Sequence, residues 1–106
     1  MQDPGISNHE EQSYAPYDMG LEMNVFVRNS SGGLLVGRVW PELTVYPDFL
    51  HPNASIYWQT QIQRFHENVS FDGLWIDMNE PSNFVTGSVD GCDARSSLDH
   101  PPYLPG

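Results

Sequence analysis

The chain has a single cysteine, Cys92, so it has no partner within the sequence for a disulfide. Lysine and arginine together number 4 against 14 acidic residues, a formal charge of -10. With no basic cluster to neutralise phosphates, nucleic-acid binding is disfavoured, and so is attachment to an anionic membrane surface. The acidity itself needs no more than solubility to account for it. No apolar run approaches the roughly 18 residues of a transmembrane helix, and no signal peptide is read ahead of Asp3. Metal-ligand spacing is lacking too. His9-Glu10 begins a His-Glu-x-x-His pattern that position 13, a serine, breaks, and His51, His66 and His100 stand far apart. Neither a metal nor a cofactor is expected.

What the sequence does contain is organised around residues 71–84. Leu74, Trp75 and Ile76 form an apolar run too short for a helix, between Gly73 and Pro81, which predicts a buried strand. Period two sets Leu74 and Ile76 on one face and Trp75 and Asp77 on the other. A carboxylate closing an apolar strand beside a large ring is expected to project into a pocket walled by Trp75. On spacing alone, a cap or turn role for Asp77 is an equal reading.

Upstream, residues 23–27 alternate, Asn29-Ser30-Ser31-Gly32-Gly33 reads as a turn, and residues 34–40 read as a second strand. Together they predict a hairpin whose second strand Pro41 stops at Trp40. Residues 53–67 then turn helical, with Asn53 as N-cap after Pro52 and a stripe of Ala54, Trp58, Ile62 and Phe65. That stripe is expected to be core. After residue 84 the chain becomes loop. Three N-x-[ST] sequons, at Asn29, Asn53 and Asn68, favour passage through the secretory pathway.

Trp75-Ile76-Asp77-Met78-Asn79-Glu80-Pro81-Ser82-Asn83-Phe84 resembles the nucleophile signature of glycoside hydrolase family thirty-one, the retaining α-glucosidases. The resemblance implies an α/β fold in which this motif ends strand four of a (β/α)8 barrel and Asp77 attacks the anomeric carbon. Such a barrel needs roughly 250 residues, so residues 1–106 are expected to be an internal fragment of one. Gln2-Asp3-Pro4-Gly5-Ile6-Ser7 resembles the end of strand three, with Gly5 for the usual alanine. There the residue at Asp3 lines the glucose pocket, although a plain Asp-Pro turn starter is the blander reading. Val39-Trp40-Pro41 resembles an element that brings a tryptophan to the sugar from an inserted subdomain, here residues 4–50. A core role for Trp40 stays open beside it. Tyr46-Pro47-Asp48-Phe49 resembles the family's Phe-Pro-Asp-Phe before a helix.

By the same resemblance, residues 51–84 hold helix three, strand four and the nucleophile motif, and residues 85–106 begin a second insertion. Met78 and Phe84 match positions flanking the pocket, as substrate contacts or as packing, and Glu80 is implied to support the site. Trp75 joins the substrate contacts by its place beside Asp77. The acid/base aspartate is implied to lie beyond position 106. Cys92 is implied to pair with a cysteine outside the chain. The implied substrate is carbohydrate: terminal α-1,4-linked glucose of maltose, maltooligosaccharides or glycogen. The implied location is the lysosome, or otherwise the secretory pathway or the extracellular space. Residues 14–21 and 40–47 fit the family's lysosomal branch better than its intestinal maltases. A catalytically inactive sugar-binding paralogue is the rival from another class.

Overall fold

A computed structural model describes residues 3–8, 13–97 and 100–103 of the chain. Strands β1 (Ile6–Ser7), β2 (Gly37–Val39) and β3 (Glu42–Val45) form an antiparallel sheet in the order β1-β3-β2. Helices α1 (Ala15–Glu22) and α2 (Ala54–Asn68) complete the regular elements among the described residues.

The β2–β3 pair is a tight hairpin. Val39 faces Glu42 across the two-residue connection Trp40-Pro41, and Glu42 takes a left-handed φ of 72°. Proline has no N–H to donate, so it suits this turn and not the ladder. Val39 and Val45 point inward at 3% and 0% exposure, while Arg38 and Leu43 face out.

Helix α1 carries Pro16 in its first turn, where a missing N–H leaves no hydrogen bond unmade. The helix stops at Met23, and Asn24, with φ 55°, turns the chain back so that the Val25 N–H reaches the Gly20 carbonyl at 3.1 Å. Phe26 then lies against Gly20, stacked on Tyr17 at 5.8 Å and edge-on to Tyr57 at 6.0 Å. Ile6, Tyr17, Val25, Phe26, Val45 and Tyr57 make one buried cluster. Tyr57 is fully buried, and its hydroxyl donates to the Pro16 carbonyl at 2.8 Å, fastening α2 to α1. Burial pushes the Tyr57 phenol well above its ordinary pKa, with the neighbouring Tyr14 phenol adding to the rise.

Several expectations need correction. Residues 23–27 do not pair as a strand with 34–40; Phe26 and Arg28 hold isolated bridges to Pro47 and Leu34. The partner of β2 is β3 instead, because Pro41 sits in the hairpin turn and does not end the pairing. Residues 74–77 form no strand: Ile76 alone holds a bridge, and Leu74, Trp75 and Ile76 are 42%, 69% and 72% exposed. A strand exists only where a neighbour meets its N–H and C=O groups, and the described residues supply none along most of this run. The expected helix is present one residue later at each end. Asn53 stands at its cap position but makes no side-chain cap bond. Along the stripe cover falls away, with Trp58 and Ile62 half-buried, and the neighbouring Tyr57 is covered instead. Ala54 and Tyr57 are buried, whereas Phe65 is 57% exposed.

Candidate active site

Helix α2 ends at Val69, and Phe71 folds back on it, stacked on Phe65 at 5.8 Å and edge-on to His66 at 4.8 Å. Asp77 is exposed, and its Oδ1 accepts the Met78 N–H at 3.0 Å. Met78 adopts a left-handed φ of 57°, which turns the chain sharply at the carboxylate. The turn closes when the Ser82 N–H donates to the Met78 carbonyl at 3.0 Å, across a cis Glu80-Pro81 bond. Glu80 is exposed on the same turn, its carboxylate accepting the Ser82 hydroxyl.

The far end of the turn is fixed to β2. The Arg38 N–H donates to Asn83 Oδ1 at 2.9 Å, and the Phe84 N–H donates to the Arg38 carbonyl at 2.8 Å. Two residues further, Trp40 stands on the hairpin tip. Its indole N–H lies 3.2 Å from the Met78 sulfur, and its ring meets Phe84 edge-on at 4.8 Å. Trp40, Met78 and Phe84 therefore form one cluster next to Asp77, with the Trp40 ring 69% exposed. An open indole face of this kind suits the C–H surface of a sugar ring.

Trp75 is 69% exposed on the other side of Asp77 in the chain. Asp3 is not brought to the cluster. It lines a cavity of about 420 Å³ with Tyr14, Trp58, Gln61, Arg64 and Phe65, and Asp77 is not among that cavity's walls. Asp3 Oδ1 is buried there without a hydrogen-bond partner. No group of three His, Cys, Asp or Glu able to hold a metal occurs among the described residues.

Beyond the motif, the Val89 N–H donates to the Val36 carbonyl at 2.8 Å, and the Ser30 hydroxyl donates to Asp93 at 2.9 Å. Hydrogen bonds from the Arg95 backbone N–H and then from Ser30 hold the Asp93 carboxyl below the usual carboxylate range. Cys92 is a free, exposed thiol on this loop. Asn29 is exposed, and its Oδ1 accepts the Ser31 N–H, the Ser31 hydroxyl and the Gly33 N–H within the turn. Asn53 and Asn68 are exposed at the two ends of α2.

Sequence reasoning missed Asn83 and its seat on β2. A glycine inside a strand, Gly37, was the available signal, since it often marks close approach of another segment.

The Glycosyl hydrolases family 31 TIM-barrel domain matches residues 1–104. Lysosomal alpha-glucosidase of Bos taurus is 55% identical over 105 residues, covering 98% of this chain and 11% of that protein. The Mus musculus protein of the same name is 50% identical over 105 residues, with the same coverage. Intestinal sucrase-isomaltase of Oryctolagus cuniculus is 49% identical over 107 residues, covering 97% of this chain and 6% of that protein. The chain thus spans about a tenth of the length of the lysosomal relatives it matches. With a match over nearly its whole length and an acidic side chain held in a turn beside an open tryptophan, the chain belongs to glycosyl hydrolase family 31.

Proposed function

We propose that this chain is the nucleophile-bearing segment of a retaining α-glucosidase that removes terminal α-1,4-linked glucose from maltose, maltooligosaccharides or glycogen. The observation that carries the proposal is the Trp40–Met78–Phe84 cluster beside the exposed Asp77 carboxylate. Asp77 attacks the anomeric carbon as a carboxylic acid elsewhere in the enzyme protonates the departing glycosidic oxygen. The resulting glycosyl ester is then hydrolysed by water, which the second residue activates as a base. Two carboxyl groups roughly 5–5.5 Å apart do this work in retaining enzymes, and the second lies outside these 106 residues.

Trp40, Trp75, Met78 and Phe84 are proposed to contact the sugar, and Glu80 to support the turn. Asp3 is proposed to join them when the remaining strands of a (β/α)8 barrel are present. In that setting residues 4–50 are an inserted subdomain, and residues 51–84 supply helix three and strand four. Residues 85–106 open the next insertion. Asn29, Asn53 and Asn68 are proposed glycosylation sites, and Cys92 one half of a disulfide. These fit a lysosomal or secreted enzyme, as does the similarity to lysosomal relatives. An intestinal sucrase-isomaltase type is the second reading, on an identity only slightly lower.

Asp77→Asn in the full-length enzyme removes the nucleophile's charge at nearly constant volume. Turnover of a chromogenic α-glucoside should fall by at least about 10³-fold, with thermal melting unchanged. Near-normal turnover would refute the assignment.

A further inference from the structure

We infer that Asn83 is a positioning residue, which through a seat provided by Gly37 holds the Asp77 turn in register with the Trp40 hairpin. The inference rests on the proposed glucosidase reading. Asp77 and Trp40 sit on separate pieces of chain, 37 residues apart by their numbers (77 minus 40). Between them stand the Trp40–Met78–Phe84 contacts and the join of residues 83 and 84 to β2.

At that join the Asn83 carboxamide works at both ends. Its oxygen takes the Arg38 N–H on β2, and its NH2 group donates to the Gly87 carbonyl, closing the loop behind it. Phe84 adds the return bond to the Arg38 carbonyl. Arg38 is two residues from Trp40 on the same short strand and turn, so the join sets the height of the indole against the Met78 sulfur.

The seat explains why the carboxamide can come so close. A Cβ on residue 37 would lie 2.8 Å from Asn83 Oδ1 and 2.5 Å from the Tyr46 hydroxyl oxygen. Tyr46 is 2% exposed, so its ring has little room to retreat. Any side chain at position 37 must therefore push on Asn83. None of these groups need touch the substrate for their loss to misplace the groups that do.

The experiment is a double-mutant cycle in the full-length enzyme, with Asn83→Ala and Trp40→Ala alone and together. Readouts are kcat and KM on a chromogenic α-glucoside, the Kd of the iminosugar deoxynojirimycin, and thermal melting. Asn83→Ala should lower kcat/KM about 10- to 100-fold per folded molecule, because small misplacements of reacting groups cost that much. It should weaken the iminosugar on the order of tenfold when Trp40 is present and scarcely at all when it is absent. Asn83→Asp keeps the acceptor for the Arg38 N–H but sets an oxygen against the Gly87 carbonyl, and should recover only part of the loss. Where the alanine variant does not fold, Asn83→Ser takes its place in the cycle with the same expectation. Additive effects on iminosugar binding, or turnover per folded molecule equal to the parent's, overturn the inference. Either result, obtained where Asp77→Asn still abolishes turnover, leaves the glucosidase reading standing.

Discussion

The two halves of this chain differ in whether they build a core of their own. In residues 3–60 Trp40, Leu50 and Ile56 stay open, but Tyr17, Phe26 and Tyr57 interlock, and Val25, Val45 and Tyr57 are fully buried. In residues 69–103, Val69, Leu74, Trp75, Ile76, Phe84 and Tyr103 are all exposed by about half or more. Hydrophobicity is similar in kind on both sides. What differs is whether the partner surface is in the same stretch of chain. A buried position has a neighbour within the sequence, while an exposed apolar run marks a surface made for something else.

The largest contrast should come from truncating one residue of each half. Tyr57→Ala empties a filled site and removes the bond to Pro16, and should cost about 3–5 kcal/mol in thermal or urea unfolding. Ile76→Ala in the same 106-residue chain should cost under about 0.5 kcal/mol. In the full-length enzyme, where a barrel would cover it, the same Ile76→Ala should rise to about 2–5 kcal/mol. An equal cost in both settings would break the comparison.

Glycines sharpen it at an intermediate scale. A Cβ at Gly20 would sit 2.1 Å from the Phe26 ring, so Gly20→Ala should destabilise by about 1–3 kcal/mol despite alanine's better helix propensity. Nothing lies within 4 Å of a Cβ built at Gly73, and Gly73→Ala should leave the melting temperature almost unchanged. A larger loss at Gly73 than at Gly20 would reverse the ranking of the two halves.

The smallest effect concerns one of the contacts that tie the halves together, Ser30 to Asp93. The folded Asp93 carboxyl titrates below its ordinary value, so its contribution is present above the unfolded pKa and lost as pH falls through the folded one. Ser30→Ala removes one of the bonds responsible and should move the Asp93 titration back toward its ordinary value. Carboxyl carbon shifts followed by NMR would detect this, and an unmoved titration would assign the lowering to Arg95 and the nearby His100.

Sequence reasoning reached α2 because its stripe repeats at helical spacing, and it reached the Asp77 turn through a long family motif. It misplaced what depends on partners. The stripe omitted Tyr57, which meets Phe26 edge-on and donates to the Pro16 carbonyl on α1. Strand β3 was hidden because Pro41 reads as a stop, although a two-residue turn can absorb it. The apolarity of residues 74–76 predicts a buried strand, but apolarity does not name a pairing partner. Within the site, Trp40, Met78 and Phe84 touch one another, while Asp3 faces a different cavity.

The exposed run beside Asp77 also governs how the segment behaves in solution. Its open surface favours self-association, and a formal charge of -10 opposes it by keeping copies apart. That repulsion acts over a Debye length of about 10 Å at 0.1 M salt and about 3 Å at 1 M. The contact between apolar faces is not screened at all. Ionic strength therefore bears on whether the segment stays dispersed: dilute buffer keeps its molecules separate, and concentrated salt lets their uncovered faces meet.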